Sequence, residues 1–467
     1  MLLLVGSFLA LLLLGLPVAL SMALSSLFFI LFDGSNPPFV LLHRMVSGVD
    51  SFPLLAVPFF IYAGNLMNIA GVTNRIYAFA LAAVGWLKGG LGHVNVVGSV
   101  IFSGMSGSAI AEAAGLGSIQ IKAMNERGYP IEFAVGVTAA SATLGPIIPP
   151  SIPFVIYGMM SNVSIGALFL GGVMPGMVMT VLLMATVFYY TWRNKWDADA
   201  PFAMSTLGKA IVELLIVASS GVLMFKIQEW TEWPVLVAAF VVIGPLCIID
   251  WWLKFSAVMA LMTPMLLIGG MLTGLFTPTE AAVAACVWAL FLGFVRYRTM
   301  TLKSFAKATF ETVETTTSVL FIVASASIFG WLLTVTKVAD ALTNGILSIT
   351  SEKWVFLILV NILILIVGSF IDSLAAITIL VPILMPLLIK FGVDPVHFGV
   401  IMTLNLMIGL LHPPLGMVLY VLSRISKLSV ERTTMAILPW LLPLMAALLL
   451  ITFIPDITLW LPHMLMK

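Results

Sequence analysis

Long apolar runs recur along the whole chain, clearest at 2–31, 164–191 and 434–455, and the polar stretches between them reach only about ten to fifteen residues. Each run meets the ~20 residues a helix needs to cross a hydrocarbon core ~30 Å thick. The pattern predicts an all-α polytopic membrane protein. The opening MLLLVGSFLALLLLGLPVALSMALSSLFFILF has no basic n-region and is too long for the apolar core of a secretion signal. It reads as a retained first helix.

Composition agrees. Of 467 residues, 61% are hydrophobic and 9% charged, with a mean hydropathy of +1.16, whereas soluble proteins carry about a quarter charged residues. A net charge of +1 gives no reason to expect nucleic acid as a partner. Cys247 and Cys286 both sit in apolar runs and support neither a disulfide framework nor a metal site. With no large soluble domain, recognition of a substrate in bulk water is limited or falls to another protein. Basic residues cluster at Arg193 with Lys195, from Arg296 to Lys307, and from Arg424 to Arg432. The positive-inside rule places these loops in the cytoplasm. Loops at 31–38, 228–233 and around Asp456 lack that bias and fit the outside. Trp230, Trp233, Trp251, Trp252 and Trp460 fall near predicted helix ends, as an aromatic belt requires.

The chain also resembles itself. GMSGS (104–108) precedes GSFID (368–372) by 264 residues, and LGPIIPP (144–150) precedes IGLLHPP (408–414) by the same offset. GYPIEF (128–133) matches DPVHF (394–398) with a slip of one residue. Gly104/Gly368, Ser108/Asp372, Gly145/Gly409, Pro149/Pro413 and Pro150/Pro414 thus pair in order, which predicts two structural repeats. Crossings near 131–157, 165–192, 210–227, 233–252, 256–275, 279–295 and 312–335 separate the two motifs. Their odd number makes the repeats inverted. With 75–88 and 337–352 assigned to interfacial arm helices, about eleven crossings put the N-terminus in the cytoplasm and the C-terminus outside. Three parts follow: 1–200 as the first inverted repeat, 205–252 as an extra helical pair, and 255–467 as the second repeat. Each repeat holds a re-entrant hairpin (about 92–126 and 354–389) and a broken helix (131–157 and 395–423).

Broken helices survive in hydrocarbon only where protein or a water-filled cavity surrounds their freed backbone groups. SGMSGS (103–108), TLGPIIPPS (143–151), GSFIDS (368–373) and IGLLHPPLG (408–416) are such breaks, since proline deletes a donor and clashes with the preceding turn. Carbonyls freed at helix C-termini suit a small hard cation such as Na⁺, and N–H groups at helix N-termini suit an anion. Ser103, Ser106, Ser108, Ser141 and Thr143, with Asp372, Thr403 and Asn405 in the other half, add oxygen ligands. A mid-membrane carboxylate such as Asp372 costs ~2.5–3.5 kcal/mol on insertion scales, which a bound cation offsets. Plainer readings stand beside these. Small residues also serve close helix packing, Glu112 is placed facing water at a hairpin tip, and His412 is either a proton relay or a hydrogen-bonded packing residue.

FSGMSGSAIAEAAGLGSI, GYPIEFAVGVTAASATLGPIIPPSIPFVIYG, VSIGALFLGGVMPG, GLFTPTEAA and DPVHFGVIMTLNLMIGLLHPPLGMVLYV closely resemble the large membrane subunit of tripartite ATP-independent periplasmic (TRAP) transporters, over roughly 1–200 and 255–467. The resemblance implies a Na⁺-driven importer in the bacterial inner membrane, in which a transport domain of hairpins and broken helices slides against a scaffold as an elevator. It implies a small organic acid as substrate, such as a C4-dicarboxylate or a sugar acid. A periplasmic binding protein would deliver it, and a small four-helix membrane subunit would complete the complex. Carried onto this chain, Na⁺ ligands fall at Ser103, Ser106, Ser108, Gly145 and Pro149, and at Gly368, Asp372, Thr403, Asn405, Gly409 and Pro413. Substrate contacts fall at Ser141, Thr143, Pro150, His412 and Pro414. Three features depart from the family pattern: the 205–252 insert, Glu112 in place of an aspartate, and His412 in place of a threonine. The competing reading is a stand-alone Na⁺- or H⁺-coupled anion symporter. An intramembrane enzyme is disfavoured because His43, His93, His397, His412 and His463 are scattered, and an ATP-driven pump because no GxxxxGK[ST] occurs.

Overall fold

Hydroxyl caps start the long helices. Ser164 accepts the Ala167 N–H at 3.3 Å to open Ile165–Asn194, and Ser429 accepts the Arg432 N–H at 3.3 Å to open Val430–Phe453. Reciprocal capping boxes, Thr277 with Glu280 and Thr301 with Ser304, open Pro278–Leu290 and Leu302–Val335. The computed structural model describes residues 2–34, 36–201, 203–231, 257–272, 276–337, 345–346, 350–413 and 416–466. All regular structure there is helical apart from one isolated bridge, Lys88 to Ala198. Seven described helices are long and apolar enough to cross a membrane: Phe52–Ile69, Ile165–Asn194, Pro278–Arg296, Leu302–Val335, Lys353–Phe370, Ser373–Lys390 and Val430–Phe453.

The first apolar run is not one helix. It divides into Leu2–Leu13 and Val18–Asp33, because Gly15 takes a left-handed φ of +85° and Pro17 caps the second piece without donating an N–H. Hydropathy alone hides this stop. Of the expected 205–252 pair, the first helix is Met204–Thr231. The second (233–252), with Trp233, Trp251 and Trp252, lies outside the described residues, as do Pro414 and much of the expected arm helix at 337–352. The expected arm at 75–88 is the short helix Val72–Val84.

Two helical hairpins and two interrupted helices make the centre. Gly90–Ser106 turns at Gly107, whose φ is +61°, into Ala109–Ala114 and then Leu116–Glu126. Ile131–Ala142 stops, runs irregularly through 143–151, and resumes as Ile152–Ser161. In the second half, Lys353–Phe370 turns through an extended Ile371 into Ser373–Lys390, and Pro395–Gly409 resumes as Met417–Ser426.

The packing is crossed between halves. The first piece of each interrupted helix packs on the hairpin of its own half. The second piece packs on the other half's hairpin, Ile152–Ser161 against Ser373–Lys390 and Met417–Ser426 against Ala109–Ala114. One large apolar core, including Phe60, Phe154, Tyr157, Phe398 and Trp440, holds these elements together. A second, smaller core joins Leu2–Leu13 and Val18–Asp33 to the C-terminal part of Leu302–Val335, through Phe8, Met22, Phe29 and Phe329.

Candidate functional site

Because the packing is crossed, all four chain breaks arrive at one place. Gly107, Ser108, Ala109 and Ile110 from the first hairpin turn and Asp372, Ser373 and Leu374 from the second line a cleft of about 70 Å³. Pro146, Ile152 and Pro153 from one interrupted helix, and Met407 and Leu410 from the other, complete its wall. The N-terminal residues of Ala109–Ala114, Ile152–Ser161 and Ser373–Lys390 are therefore at the lining, and the positive ends of these helices favour an anion, although the Ile152 and Leu374 N–H groups already donate to the Gly107 carbonyl and to Asp372.

In the first half, Ser108 caps Ala109–Ala114 by accepting the Ala111 N–H at 3.4 Å. Glu112 lies one turn further on and is not at a wet tip. It is 1% exposed, and its Oε2 accepts a long hydrogen bond from Ser103 Oγ at 3.4 Å. The side chain fits because position 145 is glycine: a Cβ there would lie 2.8 Å from Glu112 Oε2 and 3.3 Å from the Ser108 carbonyl. Among the described residues, Glu112 Oε1 and the buried Ser106 Oγ have no hydrogen-bond partner. Ser103 Oγ also donates to the Ser99 carbonyl at 2.6 Å. Gly107 is needed for its φ and because a Cβ would meet the Pro150 carbonyl at 2.7 Å, beside a cis Pro149–Pro150 bond.

The second half is built differently. Asp372 itself is the cap, its Oδ2 accepting the Leu374 N–H at 3.0 Å, while Ala376 stands at the position equivalent to Glu112. Each half thus carries one carboxylate close to its hairpin turn, one helical turn apart in register. Thr403 Oγ1 and Asn405 Oδ1 are buried without hydrogen-bond partners among the described residues. Gly368 and Gly409 bring hairpin and interrupted helix into backbone contact.

Two asparagines absent from the sequence-based candidates brace these pairs. Asn95 accepts the Ser141 hydroxyl at 2.7 Å and donates to Thr138 Oγ1 at 2.7 Å. Asn361 accepts the Asn405 amide through its side chain at 2.7 Å and through its backbone carbonyl at 2.9 Å, and it donates to Thr452 Oγ1 at 3.2 Å. Ser141 and Asn405 are 264 residues apart, so the two halves use the same brace. Among the sequence-predicted residues, Ser108 and Asp372 line the cleft. Ser141, Thr143, Pro150 and His412 are not at its lining: Thr143 Oγ1 donates to the Ala140 carbonyl at 2.6 Å, and His412 Nδ1 lies 3.1 Å from the Ile408 carbonyl. Pro149 is buried and Pro413 is exposed.

Away from the cleft, residues 197–200 fold back on the base of the first hairpin. Asp199 Oδ2 accepts the Leu91 N–H at 2.8 Å and the Tyr129 hydroxyl, and Asp197 O accepts the Gly89 N–H at 3.0 Å. Burial, then the neighbouring Asp199, raises the Tyr129 phenol above its ordinary range.

Polar breaks at a central cleft, inside an all-helical apolar bundle, are the arrangement of a membrane transporter. The comparisons give the family. Residues 5–457 match the family model described as "Tripartite ATP-independent periplasmic transporter, DctM component", and the chain belongs to that family of inner-membrane large permease subunits. It is 41% identical over 456 residues to the sialic acid TRAP transporter large permease protein SiaM of Vibrio cholerae, covering 98% of this chain and 97% of that protein. It is 37% identical to the sialic acid TRAP transporter permease protein SiaT of Haemophilus influenzae, covering 97% of this chain but 66% of that protein. The fold is similar to that of the YdaH transporter of Alcanivorax borkumensis, with a TM-score of 0.56 at 14% identity, over 88% of this chain and 86% of that one. The family implies two partners, a small membrane subunit and a periplasmic binding protein.

Proposed function

We propose that this chain is the permease subunit of a Na⁺-driven secondary transporter that imports a small organic acid handed over by a periplasmic binding protein. The observation that carries the proposal is the convergence of both hairpin turns and both interrupted helices on one cleft. Helix N-termini at the lining suit a carboxylate. The partnerless oxygens of Ser106, Glu112, Thr403 and Asn405, all on those same elements, are hard donors of the kind an alkali cation takes. Asp372 at the lining opposes a bare anion, so a cation beside it makes anion binding and cation binding depend on each other.

In this reading the halves are inverted repeats, with re-entrant hairpins near 92–126 and 354–389, a cytoplasmic N-terminus and a periplasmic C-terminus. The hairpins and interrupted helices, with Ile165–Asn194 and Val430–Phe453, move as one body against the remaining helices. The substrate is a carboxylate such as a C4-dicarboxylate or a sugar acid, the latter in line with the name of the Vibrio relative. Reconstitution in proteoliposomes with the small subunit tests the reading: uptake requires both Na⁺ and the added binding protein. Uptake by the chain alone, without Na⁺, would sink it.

A further inference from the structure

The helix Leu302–Val335 has 34 residues, about 51 Å at 1.5 Å per residue. Its first half, LKSFAKATFETVETTTS, presents an outward face that mixes large apolar side chains with charged and hydroxyl ones. Phe310 and Val313 are 75% and 56% exposed, and interleaved with them are exposed Lys307, Glu311, Glu314, Thr315, Thr317 and Ser318. The opposite face fixes this stretch against a membrane-crossing helix. Thr309 Oγ1 lies 2.9 Å from the Tyr62 hydroxyl, and Asn65 donates to Thr312 Oγ1 at 2.9 Å. Tyr62 and Asn65 lie inside the candidate span Phe52–Ile69, so Glu311 and Glu314 stand level with it.

The charges on this face are unequal. Glu311 has Lys307 at 3.7 Å. The Glu314 carboxylate has no ion pair or hydrogen bond among the described residues. The hydroxyls of Thr315, Thr317 and Ser318 fold back onto carbonyls one turn earlier, at 2.9, 2.7 and 3.1 Å. They leave the backbone satisfied and a smooth surface for a neighbouring helix. A carboxylate at this level is costly against lipid and is ordinarily paired.

We infer that the Phe310–Val313–Glu314 face is the seat of the small membrane subunit, which contributes an apolar helix bearing a lysine or arginine opposite Glu314. The inference rests on the partner assignment of the proposed function. It draws further on the one third of the Haemophilus SiaT chain that has no counterpart here, a length sufficient to supply such helices in the same polypeptide.

The test is a photo-crosslinking amino acid at Phe310 or Val313, together with Glu314→Lys and Glu314→Gln, in tagged chain co-expressed with the small subunit. The expected result is crosslinking to the small subunit and at least about a tenfold loss of co-purification for Glu314→Lys. A smaller loss is expected for Glu314→Gln, and recovery when one basic residue of the subunit is changed to glutamate. Gel-filtration monodispersity separates a lost contact from misfolding, and the crosslinks from the otherwise wild-type chain do not depend on the Glu314 variants. Crosslinks to lipid, to a second copy or back into the chain, or an undiminished complex with Glu314→Lys, overturn the surface assignment alone. A wild-type chain that never co-purifies with the subunit overturns the partner reading with it.

Discussion

Gly409 and Gly368 meet backbone to backbone: a Cβ built on Gly409 lies 2.7 Å from the Gly368 carbonyl carbon and 2.8 Å from its oxygen. The second hairpin and the second interrupted helix can approach this closely only because position 409 is glycine; a Cβ at Gly368 would meet the Gly409 Cα at 3.5 Å, an ordinary contact. Gly409→Ala therefore forces the two apart, at about 1–3 kcal/mol for an overpacked site, and shifts Met407 and Leu410 at the cleft wall. Thermal unfolding in detergent should show the loss, and uptake should fall with it. Gly208→Ala is the control. It sits in a helix with nothing within 4 Å of the added atom and should be neutral or slightly stabilising, since alanine is ~1 kcal/mol the better helix former.

Glu112 is the buried carboxyl group of the first half, beside Gly145 and Ser103. Glu112→Gln keeps its shape and removes the charge that would balance a cation. The Na⁺ concentration for half-maximal uptake should rise by about tenfold, equivalent to ~1.4 kcal/mol. Asp372→Asn should act in the same direction from the second half. Initial-rate uptake against Na⁺ concentration decides, and a curve unchanged in both variants would make the two carboxylates structural.

Asn361 ties three elements through Asn405 and Thr452. Asn361→Leu removes that acceptor and donor inside the bundle, and should cost about 1–2 kcal/mol. Thermal denaturation of the purified protein measures it. No shift in the transition would show that neighbouring carbonyls replace the amide without loss.

Arg432 and Glu132 join the interrupted helix Ile131–Ala142 to the start of Val430–Phe453, yet their side chains are 64% and 42% exposed. An exposed pair is worth at most ~1 kcal/mol. Arg432→Ala should leave uptake intact and lower the unfolding temperature by no more than a degree or two in added salt. A large salt-insensitive drop would assign the pair a role in holding the two halves together.

The positions of the chain breaks are legible in the sequence. Glycine, serine and proline cluster at 103–108, 143–151, 368–373 and 408–416, and helices end at Ser106, Ala142, Phe370 and Gly409, within those stretches or directly beside them. Glu112 was legible only as a polar residue near a turn. Its inward direction depends on the cap at Ser108 and the space left by Gly145, two positions 37 residues apart in sequence. Asn95 and Asn361 escaped for another reason: they are 266 residues apart, so the repeat offset does not superpose them. A lone asparagine in an apolar helix was the available signal. The break at Gly15–Pro17 was visible as residues and hidden by averaged hydropathy. The face around Glu314 could not be read from spacing at all, since it is defined by what the rest of the bundle leaves uncovered.

The central claim is that buried oxygens at the four breaks hold Na⁺. Thermal unfolding of the purified chain in NaCl, KCl and choline chloride at equal ionic strength tests it most directly, because a ligand that binds only the folded state stabilises it by mass action. The account predicts that Na⁺ alone raises the unfolding temperature, in a saturable way, and that Ser106→Ala, Glu112→Gln and Asp372→Asn each weaken that rise. Identical transitions in the three salts would contradict it.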